Sequence, residues 1–353
     1  MNEIIIKDKK IGKDNPTYFI ADIAANHDGD LERAKYLCLL AKESAADAVK
    51  FQHFNAKNFV SDRGFKSIGG KKSHQSKWGK SVYEIYQNAS LPLFWTKELK
   101  EYCDEIGITF FSAPYGLDMV EHLNDYVPAW KIGSGDINYH KQLEVVAKTK
   151  KPVMVATGAS TIEEVTSAIE ILESYDVDII LMQCNTNYTA EDKNYKYLNL
   201  NVLKTYSVMY PNVELGLSDH TFGDETVLGA VTLGARYIEK HFTDDNSRIG
   251  PDHPFSMNPT TWKNMVDRTR RLEAALGLSV KKVEDNEKET VVLQRRSIRL
   301  KNNLKKGNII TESDICYIRP CPQDSLPIHI NPVGKTLTRD LSINDYLKFN
   351  DLQ

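Results

Sequence analysis

Two lysines stand inside runs that are otherwise apolar, and their position is a first sign of chemistry. Lys50 lies in AVKFQ and Lys131 lies in AWKIGSG. Burying an ammonium group is costly unless it is paired, so each lysine indicates either an anionic ligand or a Schiff-base role. The alternative is structural, with each lysine crossing the interior to a buried carboxylate such as Asp22 or Glu239. Two ammonium groups beside the N–H groups of the GSG turn suit a ligand that carries both phosphate and carboxylate.

Two histidines close neighbouring apolar runs, each beside an acid. His220 follows Asp219, and His241 ends the run Glu239-Lys240-His241. Two imidazoles from adjacent strand ends can hold one divalent ion and leave positions open for substrate and water. A pair of histidines is sparse for tight zinc binding and fits manganese better, with magnesium or cobalt as further options. The alternative is that one histidine is a general base or an ordinary hydrogen-bonded strand residue.

Polar residues close one apolar run after another. In a barrel of parallel strands the active site forms at the C-terminal strand ends, and the rest of the interior is filled by branched aliphatic residues. A nearly complete ring of polar strand ends therefore predicts a site. The ring consists of Asp22, Asn26, His27, Lys50, Gln52, Ser112, Lys131, Ser134, Thr157, Asn185, Ser218, Asp219, His220, Glu239, Lys240 and His241.

The loop segment RIGPDHPFSMNP contributes Asp252 to the candidates. An aspartate beside Pro and Gly is more often a turn former than a catalyst, so both interpretations stay open for it. His253 is a weaker candidate.

The elements that would position these residues alternate along the chain. Eight short β-branched or aromatic runs, each followed by an amphipathic run, predict an α/β protein of the (β/α)8 TIM-barrel type. A doubly wound sheet would show the same alternation, but the first strand lacks a Gly-rich phosphate fingerprint. The predicted strands are Tyr18–Ala24, Ala48–Phe54, Thr109–Pro114, Trp130–Gly135, Val153–Gly158, Asp178–Asn185, Glu214–Asp219 and Tyr237–Thr243.

Three segments lie outside this alternation. Residues 55–91 form an insertion with Trp78, Tyr83 and Tyr86, which is either a functional lid or a surface excursion. Residues 278–290 are charged, lack apolar periodicity and predict a linker. Residues 291–353 contain short β-like runs and predict a small second domain after a barrel domain at 1–277.

Composition indicates a cytoplasmic protein. The net charge of -3 gives no general attraction to nucleic acid or anionic membranes. The N-terminal residues lack the apolar stretch of a signal peptide, and no run is long enough to span a bilayer. The five cysteines are odd in number and scattered, as is typical of reduced thiols. We therefore expect no nucleic-acid or membrane partner.

The order of several motifs resembles the sialic acid (N-acetylneuraminate) synthase family over nearly the whole chain. The motifs are FIADIAANHDGDLERAK, ADAVKFQ, FFSAP, KIGSGD, ATGAS, LGLSDHT, IEKHFT and GPDH…SMNP, and RRSI…LKKGNIIT…YIRP…VGK is similar to the C-terminal antifreeze-like (SAF) domain of that family. The resemblance implies a TIM barrel followed by a small β-clip domain, which swaps over the barrel of the partner in a homodimer.

The resemblance also implies roles for individual residues. Phosphoenolpyruvate would be bound by Lys50, Lys131, Ser134 and Ser218, and a metal ion, commonly manganese, by His220 and His241. Contacts to the sugar or to the metal site are implied for Gln52, Asn185, Thr186, Tyr188, Glu239 and Asp252. Arg319 matches the arginine by which the small domain of the second subunit reaches the acceptor sugar.

The sequence departs from the pattern of the family at several of these positions. Asp22 stands where a glutamate is usual, so a shorter carboxylate must reposition or act through water. Ala113 and Ala156 replace hydroxyl-bearing residues, and PCPQ replaces Pro-Gly-Asn-Gly after Arg319. Both histidines of the implied metal site, His220 and His241, and both lysines are present.

The implied reaction joins phosphoenolpyruvate to an open-chain N-acetylmannosamine-type aldehyde, with water added and phosphate released by C–O cleavage. Asp22 is expected to orient the water, and Lys50, Lys131, Glu239 and Asp252 complete the catalytic set. Three enzyme alternatives are another phosphoenolpyruvate-dependent 3-deoxy-keto-acid synthase, a legionaminic or pseudaminic acid synthase acting on a diacetamido-trideoxyhexose, and a Schiff-base aldolase. Outside enzymes, the chain could be a carbohydrate-binding protein that has lost catalysis.

Overall fold

A computed structural model describes residues 3–68, 80–188 and 191–353. The chain divides into two compact units, Met1–Gly277 and Leu278–Gln353. Among the helices of the described residues, none has both the length and the apolar character that crossing a bilayer requires.

Eight parallel strands form the centre of the first unit. They are β3 (Tyr18–Asp22), β4 (Ala48–Phe54), β5 (Thr109–Tyr115), β6 (Trp130–Ile132), β7 (Val153–Ala156), β8 (Ile179–Cys184), β9 (Glu214–Asp219) and β10 (Tyr237–His241). Their order in the sheet is β5-β4-β3-β10-β9-β8-β7-β6. Strands β5 and β6, at the two ends of this order, also pack against each other, so the sheet closes on itself. The predicted (β/α)8 barrel is thus confirmed, and the doubly wound alternative is excluded because its outer strands would stay apart.

One long helix follows each strand and covers the outside of the barrel. Side-chain caps define where some of these helices begin: Asp30 accepts hydrogen bonds from the N–H groups of Glu32 and Arg33, and Thr161 forms a capping box with Glu164. The outer helices are α1 (Leu31–Glu43), α5 (Trp95–Ile106), α6 (Leu117–Leu123), α7 (His140–Lys148), α8 (Ile162–Glu173), α9 (Val202–Met209), α10 (Glu225–Thr232) and α11 (Pro259–Leu276). The insertion after β4 contains α2 (Ala56–Phe59), α3 (Asp62–Ser67) and α4 (Val82–Ala89).

Side chains alternate along each strand between the barrel interior and the helix layer. On β3, Tyr18 and Ile20 join an interior cluster, whereas Phe19 and Ala21 pack among the helices. A hairpin of β1 (Ile4–Ile6) and β2 (Lys9–Ile11) adds Ile4, Ile6 and Ile11 to the interior cluster. The lower interior is therefore filled by apolar side chains, and inward-facing polar residues lie towards the C-terminal strand ends.

The second unit has its own apolar core. Helix α12 (Lys288–Gln294) precedes β11 (Ser297–Leu300), which pairs antiparallel with β12 (Ile315–Ile318). Segment 278–290, predicted as a linker, belongs to this unit and runs into α12, so the unit begins earlier than the predicted domain boundary at 291. The sequence did not predict α12, because this segment is charged and the helix is too short to show apolar periodicity. The core residues are Ile298, Leu300, Ile310, Ile315, Leu326, Leu337, Leu341 and Leu347.

Candidate active site

A cavity of about 300 Å³ opens among the C-terminal ends of the barrel strands. Most of the residues predicted to form the site line it, which places both lysines and both histidines around one space. The predicted residues that line the cavity are Asp22, Lys50, Gln52, Lys131, Ser134, Thr186, Tyr188, Ser218, His220, Glu239, His241 and Asp252.

The cavity floor is a buried network of two lysines and two carboxylates. Lys50 Nζ lies 2.7 Å from Asp22 Oδ2, and Lys131 Nζ lies 2.8 Å from Glu239 Oε1. A distance of 3.8 Å between Lys50 Nζ and Glu239 Oε1 joins the two pairs. The structural alternative raised from the sequence is thus present, because both lysines pair with the carboxylates named there. They also face the cavity, so pairing and ligand binding are compatible.

These pairs fix the charges on the floor. Burial opposes ionisation of Glu239, but the ammonium groups of Lys131 and Lys50 outweigh it and lower the pKa of Glu239 to about 2. Burial likewise opposes the charged form of Lys50, yet Asp22 and Glu239 raise the pKa of this lysine. Burial raises the pKa of Asp22 despite its lysine partner. Both Glu239 and Lys50 are therefore ionised at neutral pH.

The two imidazoles lie side by side, with ring centroids 5.3 Å apart. Tyr188 and Phe255 pack against them, at centroid distances of 4.2 Å from Tyr188 to His220 and 4.9 Å from Phe255 to His241. Burial lowers the pKa of both histidines to about 3. Both rings are consequently neutral near pH 7, the form that binds metal ions.

The hydrogen bonds of the imidazoles fit a metal-binding pair. His220 Nδ1 donates to the backbone carbonyl of Asn185 at 3.1 Å, which leaves Nε2 with its lone pair. His241 Nδ1 is buried and has no hydrogen-bond partner among the described residues. The described part of the chain contains no cluster of three or more His, Cys, Asp or Glu side chains arranged around a metal position. These imidazoles therefore fit an ion that takes its other ligands from water or substrate.

Hydroxyl groups and a close backbone approach shape the cavity beside the lysines. Ser218 Oγ donates to Glu239 Oε1 at 3.1 Å and lies 3.5 Å from Lys131 Nζ. Ser134 Oγ accepts a 2.9 Å hydrogen bond from the Gly158 N–H. A Cβ at Gly158 would overlap the Thr186 hydroxyl, so this position requires glycine. The arrangement brings hydroxyl and ammonium donors together, as an anion-binding site needs.

Asp252 reaches the cavity from the loop after β10. Its Oδ2 accepts a 3.2 Å hydrogen bond from the Ala25 N–H, and burial raises its pKa to about 7. The neighbouring His253 is fully buried and bonds to Thr243 Oγ1 at 2.7 Å and Asp28 Oδ1 at 3.0 Å. Asp252 thus faces the site, whereas the weaker candidate His253 fastens this loop to the loop after β3.

Several polar strand-end residues do not line the cavity. The prediction counted every polar residue near a strand end, but the two-residue alternation turns every second one towards the helices. Asp219 and Lys240 form an outward buried ion pair at 2.5 Å. Ser112 bonds to His53 at 2.6 Å in the helix layer. The other ring members absent from the cavity lining are Asn26, His27, Thr157 and Asn185.

Asn185, predicted to contact substrate, is absent from the cavity lining and supports one of the imidazoles. Its carbonyl accepts the hydrogen bond from His220, and its side-chain amide donates to the Tyr197 carbonyl at 3.2 Å. It therefore orients an imidazole through its backbone.

Four aromatic residues in and around the cavity were not predicted as site residues. Phe54 and Tyr115 end β4 and β5, and Phe59 and Tyr86 belong to the insertion. Extending the inward alternation of β4 from Lys50 and Gln52 by two residues would have found Phe54. The sequence carries no comparable signal for Phe59 or Tyr86, because their helices are short and lack a long apolar period.

Arg319 follows β12 in the second unit and is exposed there. Trp78 of the insertion lies outside the described residues.

Comparison with known proteins gives a consistent picture. Residues 37–281 match the NeuB family. The chain is 40% identical over 322 residues to uncharacterized protein MJ1065 of Methanocaldococcus jannaschii, covering 91% of this chain and 90% of that protein. It is 32% identical over 336 residues to N,N'-diacetyllegionaminic acid synthase of Campylobacter jejuni, covering 94% and 99%.

A solved structure agrees with these relatives. The N-acetylneuraminic acid (sialic acid) synthetase of Leptospira borgpetersenii, in complex with citrate, superposes with a TM-score of 0.71 at 28% identity, over 82% of this chain and 95% of that chain. The family match spans most of the barrel, and both relatives align along nearly the whole chain. This protein therefore belongs to the NeuB family.

Proposed function

We propose that this protein condenses phosphoenolpyruvate with an amino-sugar aldehyde to form a nonulosonic, sialic-acid-type sugar and phosphate. One observation carries the proposal: two ammonium groups and two neutral imidazoles face a single cavity at the active end of a TIM barrel. The names of the Campylobacter and Leptospira relatives support the same reaction class.

Phosphoenolpyruvate would bind to Lys50, Lys131, Ser134 and Ser218. An ammonium group has three N–H donors, so each lysine can keep its carboxylate partner and still bind a phosphate or carboxylate oxygen. Lys50 and Lys131 are balanced by Asp22 and Glu239. A multiply charged anion would therefore give the floor an excess of negative charge, and a divalent cation would offset it.

His220 and His241 would hold that cation, which we propose to be Mn²⁺, with Mg²⁺ or Co²⁺ as substitutes. When bound, a divalent ion polarises a carbonyl oxygen, which is worth several kcal/mol of transition-state stabilisation. Tyr188 and Phe255 keep the two rings in place by packing against them.

The bond changes are as follows. Carbon 3 of phosphoenolpyruvate forms a bond to the aldehyde carbon, and the aldehyde oxygen becomes a hydroxyl. The C=C π electrons of phosphoenolpyruvate supply this new bond, and water, oriented by Asp22, adds to carbon 2. One proton of the water ends on the aldehyde oxygen and the other on the phosphate. The phosphate leaves with the bridging oxygen as the C–O bond breaks and carbon 2 becomes a ketone. Asp252 would hold or release a proton at the acceptor oxygen. Fixing both substrates in register contributes up to roughly 7–11 kcal/mol to lowering the barrier.

An assay of substrate consumption tests this proposal. The purified protein, stripped of metal and then supplied with Mn²⁺, should consume phosphoenolpyruvate only when an N-acetylated aldose is present. In water labelled with heavy oxygen the released phosphate should carry no label, because C–O cleavage leaves the water oxygen on carbon 2. Labelled phosphate, or no consumption with any acceptor, would refute the reaction.

The same assay separates the alternatives. A seven- or eight-carbon keto-acid synthase would use phosphorylated aldoses without an amide. A Schiff-base aldolase would be trapped on Lys50 or Lys131 by borohydride with pyruvate. A carbohydrate-binding protein would bind the sugar and consume nothing.

We also propose that the second unit is the antifreeze-like domain of a swapped homodimer, in which Arg319 reaches the acceptor sugar of the partner. We place the protein in the cytoplasm because its cysteines are free, including Cys38 and Cys103, whose sulfurs are only 3.7 Å apart. An oxidising compartment favours pairing of such neighbours.

A further inference from the structure

One side of the cavity is an apolar wall built largely from the insertion. Phe54, Phe59, Tyr86 and Tyr115 pack together there, and all four line the cavity. Ring centroids lie 4.8 Å apart for Phe59 and Tyr115, 5.3 Å for Phe59 and Tyr86, and 5.5 Å for Phe54 and Phe59. Ile85 and Ala89, on the same helix as Tyr86, continue the wall.

The wall contrasts with the floor. Lys50, Lys131, Asp22 and Glu239 supply charge to one part of the cavity, whereas the wall consists of aromatic and aliphatic side chains whose polar side-chain groups are the Tyr86 and Tyr115 hydroxyls. A polyhydroxylated substrate loses hydrogen bonds with water when its hydroxyl groups meet such a surface. Methyl groups and the C–H faces of a sugar gain from the same contact. A substrate portion with few hydroxyl groups therefore suits this wall better than one with many.

We infer that the aromatic wall selects an acceptor with methyl groups at this edge, namely a diacetamido-trideoxyhexose rather than N-acetylmannosamine or its terminal phosphate ester. This inference rests on the proposed function and specifies its substrate. A deoxy sugar ends in a methyl group where N-acetylmannosamine has a hydroxymethyl group, and its second acetamido group adds another methyl. A phosphate ester would bring a doubly charged group against four rings, in a cavity that the Asp252 carboxyl also lines.

Steady-state kinetics with three acceptors tests the inference at saturating phosphoenolpyruvate. A contact that distinguishes one small apolar group changes kcat/KM by roughly 10–200-fold. We expect the diacetamido-trideoxyhexose to exceed N-acetylmannosamine by a factor in this range, and the phosphate ester to be the poorest acceptor.

Variants locate the selectivity in the wall. Phe59→Ala should remove most of the preference by raising the acceptor KM for the deoxy sugar, with the KM for phosphoenolpyruvate unchanged. Ile85→Ala gives a second, smaller perturbation of the same wall and serves if Phe59→Ala does not fold. Tyr83→Ala is the matched control, because Tyr83 is an aromatic residue of the same helix, α4, that does not line the cavity.

The outcomes also separate this inference from the proposed function. Phosphoenolpyruvate consumption with equal efficiency for all three acceptors, or best with the phosphate ester, would overturn the inference and leave the reaction standing. Equal loss for every acceptor in Phe59→Ala and Ile85→Ala would likewise overturn it. No consumption with any acceptor would instead contradict the proposed reaction.

Discussion

The Asp22 carboxylate contacts four neighbouring groups in the cavity. Its Oδ2 lies 2.7 Å from Lys50 Nζ, 3.3 Å from Gln52 Nε2 and 3.5 Å from His241 Nε2. Its Oδ1 accepts a 3.1 Å hydrogen bond from the Ala24 N–H. The short Asp22 side chain thus contacts these groups directly, and its role in orienting water stays a prediction.

Replacement of the imidazoles should abolish turnover without unfolding the barrel. His220→Ala or His241→Ala removes half of the proposed metal-binding pair, and we expect kcat/KM to fall roughly a thousandfold, as loss of several kcal/mol implies. Mn²⁺ binding by calorimetry should fall in parallel. His140→Ala, an exposed histidine at the start of α7, is the control. Full activity of the double variant in metal-stripped buffer would contradict the proposed role.

Asp252 should make stability depend on pH. Its pKa of about 7 in the folded protein lies above its ordinary value of 3.8, so its contribution to stability is complete below pH 4 and is lost as the pH rises to about 7. Asp252→Asn should therefore be more stable than the wild type at pH 8, by on the order of 1–3 kcal/mol. The two proteins should converge near pH 4 in chemical denaturation, and a pH-independent difference would exclude this explanation.

The sequence allowed most of the site to be predicted at the scale of single residues. Lys50, Lys131, His220 and His241 stood out because charged or polar groups in apolar runs need a reason. The sequence did not show which polar strand residues point away from the cavity, because Asp219 and Lys240 are as polar as their neighbours Ser218 and Glu239. The structure distinguishes them, since alternate side chains on each strand point into the barrel or towards the helices.

At the scale of elements, a buried ion pair joins the ends of β9 and β10. Lys240 Nζ donates to Asp219 Oδ2 and, at 2.7 Å, to the Thr221 carbonyl. Asp219 also accepts hydrogen bonds from the hydroxyl groups of Thr221 and Thr226, at 2.9 and 2.6 Å. Burial opposes its ionisation, but Lys240 keeps the pKa of Asp219 below its usual value. The pair holds together the two strand ends that carry the histidines.

Lys240→Met should destabilise the protein by about 3–5 kcal/mol, because it leaves a buried carboxylate without its cation. Lys263→Met is the matched control: Lys263 pairs with Asp267 at 2.5 Å on the surface of α11, and such pairs contribute about 0–1 kcal/mol. Denaturant midpoints compare the two. Equal, small losses would mean that Asp219 is satisfied by its hydroxyl partners alone.

The positions of the strands and outer helices could be predicted because each has its own apolar period. The insertion could not be predicted in the same way. Helices α2 and α3 are too short to show a period, and the aromatic wall forms only when residues distant in sequence, such as Phe59 and Tyr115, come together.

At the scale of the whole molecule, the proposed swapped homodimer makes a distinct prediction. A variant with Arg319→Ala and a variant with His220→Ala should each be nearly inactive. Unfolded, mixed in equal amounts and refolded, they should recover roughly a quarter of wild-type activity, because random pairing makes half of the dimers mixed and each mixed dimer has one intact site.

The readout excludes simpler assemblies. A protein whose second unit serves its own barrel would recover nothing, since each chain would keep its own defect. Light scattering on the unmixed variants confirms that both still form dimers, and recovery without dimers would also contradict the proposal.

The hairpin of β1 and β2 and other apolar side chains fill the lower barrel. This filling affects the order in which substrates bind and products leave. Among the described residues, apolar side chains fill the barrel interior below the cavity, so we expect molecules to enter and leave at the C-terminal strand ends. We expect phosphoenolpyruvate, which we propose to bind to the lysines of the floor, to bind before the sugar, and the larger sugar product to leave before phosphate. Isotope trapping should convert labelled phosphoenolpyruvate from a preformed complex into product, as ordered binding requires. Efficient trapping of labelled sugar bound without phosphoenolpyruvate would contradict this order.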